Sequence, residues 1–548
     1  MTLAVSLYKP PAGCWGYAPA VISKTEGALS NLSATVTLGT GKVYVGGPLL
    51  GNDFQGSMDG TAVASSIVAG VPMTLHNFLF YLNDLGANVT LNAAGPSGSG
   101  LAATLALAQL LNGTCTKHIA MTGMIGLGGE ILPVGGVKVK AEAVKAYGLS
   151  FFLVPQNETV KVKGLEVIPI STILDSIRYM GITPHFKVCG TPKSLEESAT
   201  VFKSHYERLY NLTEEVIAKL KVVSPDIQNQ LRYAKLVASE GRYYAAASYA
   251  FTALIKAYTE YYKEILLNLT KGSNITSTVT VTVPLNKTGS NITNIHKIHG
   301  MHPIKTIKLP PKAEKFIKDE ITKIKKYTQI KPSNCYANYW SLEACAAVYN
   351  REFRLSRYLE RLSTPQFTNS SITNIASLLA LAKARAVSIT LWNSAVQQLA
   401  DMDGAPPISN IKKVSKEAVT IGLAAAKYAL SMIPLKVAFT SPINDAVDKM
   451  YQAYVNGNYA KAIGLAAYTY ENAADTLMSI GNSTAVAEKI LPMVMERSYC
   501  GTPSFIAYNY YGYVNSLLKT DKLSAEALSY TALFFAHLAE TNAFFLHK

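Results

Sequence analysis

Hydrophobic and polar positions keep two different rhythms along this chain, and the change falls near residue 188. Before it, short strand-like and helix-like segments take turns. "ALSNLSATVTLGTGKVYVGG" reads as two strands around a Gly-Thr-Gly-Lys turn. "DGTAVASSIVAGV" and "HNFLFYLNDLG" read as helical, and "ANVTLNAA" as a strand. A turn built from Gly95, Pro96, Ser97, Gly98, Ser99 and Gly100 then opens an alanine-rich helix that runs to Leu111. After it come a strand at "KHIAMTG", a glycine-rich hairpin "MIGLGGEILPVGG", a helix "VKVKAEAVKAYG" and a strand "SFFLVP". This order predicts an α+β domain over residues 1–187.

From residue 188 to 548 the pattern is mostly helical and rich in Ala, Leu and Tyr. It predicts one large α-helical domain. A Thr-rich, β-prone stretch at about 273–293 interrupts it and reads as an exposed hairpin or loop. Within the helices, Gly241, Tyr243, Ala246, Ala250 and Ala257 recur at identical offsets as Gly457, Tyr459, Ala462, Ala466 and Ala473. The pattern resembles half of a tetratricopeptide-type hairpin, in which glycine makes the turn and small alanines let two helices approach. Two copies so far apart in sequence predict helix-pair packing rather than an array.

Composition narrows the setting. Of 548 residues, 49% are hydrophobic and 16% charged, which is a globular balance. The formal charge of +15 suits an acidic partner, with basic residues concentrated from Lys305 to Lys331. Neither a zinc-ligand spacing nor an RNA-binding aromatic signature accompanies it, so nucleic acid is not expected as a partner. No run of eighteen apolar residues occurs, and no segment is expected to span a bilayer. The apolar part of "MTLAVSLYKPPAGCWGY" is short for a signal peptide. Eleven N-x-[ST] sequons run from Asn31 to Asn482, roughly twice what chance would give, and Asn274, Asn286 and Asn291 cluster in the Thr-rich stretch. Cys14, Cys115, Cys189, Cys335, Cys345 and Cys500 form an even set. Cys335 and Cys345 are near enough in sequence to bridge, though six thiols could also stay buried and reduced. Sequons and cysteines together favour an extracytoplasmic, secreted or cell-surface home. His296, His299 and His302 could ligate a metal, but a glycine between them and the lack of a fourth ligand favour a polar loop. No metal and no cofactor are expected.

The serine at the mouth of the helix is either turn punctuation or a nucleophile held among backbone N–H groups. The segments downstream of it decide. The succession "GPSG", "AMTG", "MIGLGGEILPVGGVKVK" and "FFLVP" resembles the proteolytic domain of Lon-type serine peptidases over about residues 18–180. The resemblance implies Ser97 as nucleophile, Lys140 as base and Thr122 as support for the lysine. The separations of 43 residues from Ser97 to Lys140 and 18 from Thr122 to Lys140 are those of the family. Lys138 lies two residues from Lys140, hence on another face of a helix, and is expected in solvent. Ser99 is the lesser serine, a candidate helix cap. The backbone N–H groups of Ser97 and Gly98 are the expected oxyanion donors. Lysine acts as a base only when neutral, which an apolar site would favour.

Two departures stand out. Ala94 occupies the position where the family commonly has Asp, and the histidines found on the preceding strand in bacterial members are replaced by "NVTL". No G-x-x-x-x-G-K-[ST] motif occurs, so no ATP-driven unfolding is expected. In this the chain resembles ATPase-free archaeal Lon-like proteins with a helical C-terminal region. The expected function is ATP-independent hydrolysis of unfolded or flexible polypeptides through an acyl-enzyme. The alternative is a catalytically silent Lon-like scaffold whose helices bind protein or cell-surface partners. Membrane or surface association and a homo-oligomer are both compatible with the sequence. On the peptidase reading, residues 190–548 regulate access and are separable from the reactivity of Ser97 and Lys140.

Overall fold

A computed structural model of the chain describes residues 13–47, 49–84, 94–113, 115, 117–271, 277–280, 304–307, 309–363, 367–368, 372–434, 437–438, 441–480 and 483–547. The strand expected at "ANVTLNAA", the histidines His296, His299 and His302, and most of the Thr-rich stretch lie outside these residues. The described part of that stretch, Ser277–Thr280, is a strand.

The chain forms two compact units. The first comprises residues up to Ala199, Asn334–Ala347 and Gln398–Lys548; the second comprises Thr200–Ser333 and Val348–Gln397. Packing therefore groups the chain differently from its change in sequence character. The C-terminal helices belong with the α+β layer rather than with the central helices.

The first unit starts with β1 (Cys14–Val21), β2 (Gly27–Leu38), β3 (Val43–Gly46), α1 (Asn52–Ala69) and β4 (His76–Asp84). These strands form a sheet in the order β1-β2-β4-β3. One expectation is met with an unexpected topology, and one is corrected. The strands around the Gly-Thr-Gly-Lys turn exist but are not neighbours: β4 lies between them and pairs in parallel with β3. "HNFLFYLNDLG" is a strand, not a helix. Its buried residues are Phe78, Phe80 and Leu82, a period of two, set opposite Val36, Ala34 and Leu32 of β2. Its aromatic and leucine content also suits a helix, and strand pairing settles the matter.

The remaining elements of this layer are α2 (Ser99–Leu110), β5 (Met124–Ile125), β6 (Ile131–Leu132), α3 (Val137–Ala146), β7 (Phe151–Pro155), β8 (Glu166–Ile170), α4 (Ile173–Ile177) and α5 (Lys193–Ser198). Helix α2 is buried from Ser99 to Ala108, so its apolar residues encircle it rather than forming a stripe. The segment expected as a strand at "KHIAMTG" makes single bridges, Ala120 to Tyr17 and Met121 to Leu153.

In the second unit stand α6 (Val201–Ile217), α7 (Pro225–Ser239), α8 (Tyr243–Thr270), β9 (Ser277–Thr280), β10 (Ile304–Ile307) and α9 (Pro311–Lys325). They are joined there by the adjoining parts of α10 (Tyr339–Ser363) and α11 (Ile372–Ala400), and β11 (Phe367–Thr368) completes a small sheet with β10 and β9. By length and composition α11 could cross a membrane, but 61% of its most apolar stretch is buried inside the protein.

Helices α12 (Ile411–Ser431), α13 (Pro442–Val455), α14 (Tyr459–Met478), α15 (Leu491–Ser498), α16 (Phe505–Leu517) and α17 (Lys522–Leu546) complete the first unit. The repeated pattern proves to be two helical hairpins, α7–α8 and α13–α14. Gly241 and Gly457 take the same left-handed conformation, φ +77° and +75°, which a side chain would resist. Ala246, Ala250 and Ala257, like Ala462, Ala466 and Ala473, are fully buried.

The C-terminal helices meet the α+β layer through specific polar contacts. Tyr428 of α12 donates to the Ile125 carbonyl at 2.7 Å, and Tyr470 of α14 donates to that of Leu127 at 3.0 Å. Tyr530 of α17 bonds the Glu130 carboxyl. Glu417 of α12 accepts from the Met73 and Thr74 amides at 2.7 and 2.9 Å, and contacts His537 at 3.0 Å. All four side chains are buried. Removing residues 190–548 would take these buried contacts away from the layer that carries the serine. Three disulfides, Cys14–Cys115, Cys189–Cys500 and Cys335–Cys345, leave no cysteine free.

Candidate active site

Ser97 sits in a short turn of helix, Pro96–Gly98, that runs directly into α2. Helix-initial N–H groups have no acceptor within their own helix, so the amides of Ser97 and Gly98 belong to a class of donor that can serve an anion. The turn is fixed from several sides. The Ser97 carbonyl accepts from the Gly123 amide at 2.9 Å and from Thr122 Oγ1 at 3.2 Å. Asp53, in the first turn of α1, accepts from the Gly95 amide at 2.8 Å. With Ala94 at the position where the Lon-type pattern has an acid, the carboxylate touching this turn comes from a different helix. Its sequence signal is slight: an acid in the first turn of a helix, which usually means no more than dipole compensation.

Ser99 does not cap the helix. Its hydroxyl donates to Pro96 O at 2.6 Å and accepts from the Ile125 amide at 2.9 Å, tying the serine turn to the hairpin of β5 and β6. Tyr428 closes on the same hairpin, and its ring comes so near α1 that a Cβ on Gly60 would stand 2.2 Å from it.

Lys140 and Lys138 separate as helix geometry requires: Lys138 is exposed, whereas Lys140 is 3% exposed. Lys140 Nζ donates to Thr122 Oγ1 at 3.2 Å, and Thr122 in turn reaches the Ser97 carbonyl. Burial lowers the Lys140 ammonium from 10.5 to about 8, against the opposing pull of Glu158. A fraction of the amine is therefore neutral near pH 7. Glu158 is itself held by the Val134 amide, which donates to it at 2.8 Å.

Ser97, Gly98 and Lys140 line one cleft of about 780 Å³. Ala18–Ile22 of the β1 edge and Val134–Gly136 form further parts of its lining, while Phe54, Leu82, Met124, Met432 and Ile480 supply apolar surface. Met432 and Ile480 come from the C-terminal helical region, which the motifs of the first 187 residues could not reveal. The arrangement offers a hydroxyl, a buried amine with a lowered pKa and helix-initial amides around one space, the ingredients of acyl transfer.

Residues 24–183 match the family model for the Lon protease (S16) C-terminal proteolytic domain. Among curated proteins, the Lon protease of Azospirillum brasilense is 33% identical over 173 residues, covering 29% of this chain and 20% of that protein. The archaeal Lon protease of Methanocaldococcus jannaschii is 30% identical over 82 residues, 14% of this chain and 13% of its own length. That of Thermoplasma acidophilum is 28% identical over 138 residues, 24% and 18% respectively. The chain thus matches a fifth or less of the length of these relatives.

Proposed function

We propose that the protein is a serine endopeptidase in which Ser97 attacks the peptide carbonyl and Lys140 takes its proton. The carrying observation is Lys140 itself: a lysine buried in the wall of the Ser97 cleft, hydrogen-bonded to Thr122, with its pKa lowered to about 8. Thr122 orients the amine. The amides of Ser97 and Gly98 hold the oxyanion, an acyl-enzyme forms with loss of the amine product, and water releases the acid. Because no nucleotide-binding motif accompanies the site, the substrate is a polypeptide that arrives unfolded or offers a flexible loop. The three disulfides and the sequons support an extracytoplasmic location.

The test is hydrolysis of unfolded casein by the full chain, with and without ATP, beside Ser97→Ala and Lys140→Ala. Activity that ignores ATP and is lost in both variants upholds the reading. Activity that survives Ser97→Ala would sink it and favour a scaffold.

A further inference from the structure

The net charge of the protein is carried by one of its two units. The first unit, which holds Ser97 and Lys140, contains 24 Lys and Arg against 24 Asp and Glu. The second contains 27 against 12, so the whole +15 resides there. Helix α9 shows how the excess is displayed. Ala313, Ile317, Glu320 and Ile324 face inward, and Glu320 accepts from Tyr262 at 2.9 Å. Lys312, Lys315, Lys318 and Lys325 are exposed.

The described lining of the cleft beside Ser97 carries no excess of either charge by which to sort polypeptides. Among the described residues that line the cleft, only Lys140 and Glu158 are ionisable, and they are of opposite sign. A polypeptide is far longer than the cleft, so most of its chain lies outside, where long-range fields act on it. We infer that the second unit captures acidic, unfolded polypeptides for the peptidase, an inference that rests on the proposed function and adds its substrate class. The chemistry is consistent at both ends. Chains rich in Asp and Glu and poor in apolar residues stay unfolded by themselves, so they need no motor. Basic chains are repelled by the same field.

Binding to the full chain carrying Ser97→Ala tests this without hydrolysis. The probes are a fluorescent disordered peptide of Glu, Gly and Ser, its Lys-substituted counterpart, a neutral counterpart, duplex DNA and phosphatidylglycerol vesicles. The acidic peptide should bind at least tenfold tighter than the neutral one and lose that advantage at high salt. Lys312→Glu, Lys315→Glu and Lys318→Glu together should weaken it about tenfold, as a few exposed pairs would. The corresponding Gln triple variant should fall between, which separates lost charge from lost fold. In the active chain the Glu triple variant should raise KM for the acidic substrate and leave kcat unchanged. Equal affinity for acidic and neutral peptides, or tighter binding of DNA or vesicles than of the acidic peptide at the same salt, would overturn the inference. Charge-selective peptide binding without hydrolysis by the unmutated chain would uphold the capture and overturn the peptidase.

Discussion

The hydroxyl of Tyr428 donates to the carbonyl of Ile125, 303 residues earlier in the chain. Ile125 in turn donates its amide to Ser99, two residues after Ser97. A helix of the C-terminal region is therefore hydrogen-bonded to the strand that steadies the serine turn. Tyr428→Phe should cost about 1–2 kcal/mol of stability, since the Ile125 carbonyl is left buried without that donor. It should also lower kcat more than it raises KM, measured on a short peptide, because the turn rather than substrate binding loses support. Unchanged kcat would make Tyr428 a purely packing residue.

Acylation should track the neutral form of Lys140. The rate of labelling of Ser97 by an acylating probe is expected to rise about tenfold per pH unit at low pH and level off near pH 8. The stability effect has the opposite character from that of a salt bridge. The folded pKa, about 8, lies below the ordinary 10.5, so the charged amine opposes folding. That cost is complete below pH 8 and fades as pH rises toward 10.5. Lys140→Met should therefore abolish labelling yet stabilise the fold by about 1–3 kcal/mol at pH 7. Denaturant melts at pH 7 and 10 would show the gain shrinking at the higher pH.

Asp53 is expected to set the efficiency of the serine turn. Asp53→Ala removes the acceptor of the Gly95 amide and should slow acylation about tenfold, whereas Asp53→Asn retains an oxygen and should recover most of the rate. Equal loss in both variants would point to the charge rather than to the hydrogen bond.

Glu417 joins α12 to the Met73–Thr74 amides and to His537, with no solvent access. Burial pushes its carboxyl up, but the bonds from His537 and Thr74 outweigh this and hold it below the usual value. Its contribution is therefore present above the ordinary carboxylate range and is lost as pH falls through the depressed folded value. Glu417→Ala should destabilise by about 3–5 kcal/mol near pH 7, a difference that narrows in strong acid. Chemical denaturation across pH checks both statements.

The candidate site is legible because it is local in sequence. Ser97, Thr122 and Lys140 sit in one run of motifs; helix periodicity puts Lys138 and Lys140 on different faces, and the spacing of the Lon-type resemblance selects Lys140. The strand β4 passes for a helix because Phe78–Leu82 is an unbroken apolar run that fits either period over so short a span, and only its pairing with β2 and β3 resolves it. Asp53, Met432 and Tyr428 escape for a different reason. Each acts across a distance in sequence that no pattern encodes: a carboxylate in an ordinary first turn, a methionine at a helix end, a tyrosine in a helical region full of them. The division into units escapes likewise, since the helices on both sides of it share the same Ala- and Tyr-rich composition.

Tyr428, Tyr470 and Tyr530 also impose a timetable. A ribosome adding about 5–20 residues per second completes the Ser97 turn long before these tyrosines exist. Ser97 and its contacts to Asp53, Thr122 and Gly123 are translated early, whereas the bond from Tyr428 to Ile125 must wait for residue 428. Chains stalled before residue 420 should fail to react with an acylating probe, and full-length chains should react. A chain made in this order leaves the Ile125 carbonyl without its Tyr428 donor until α12 has been translated.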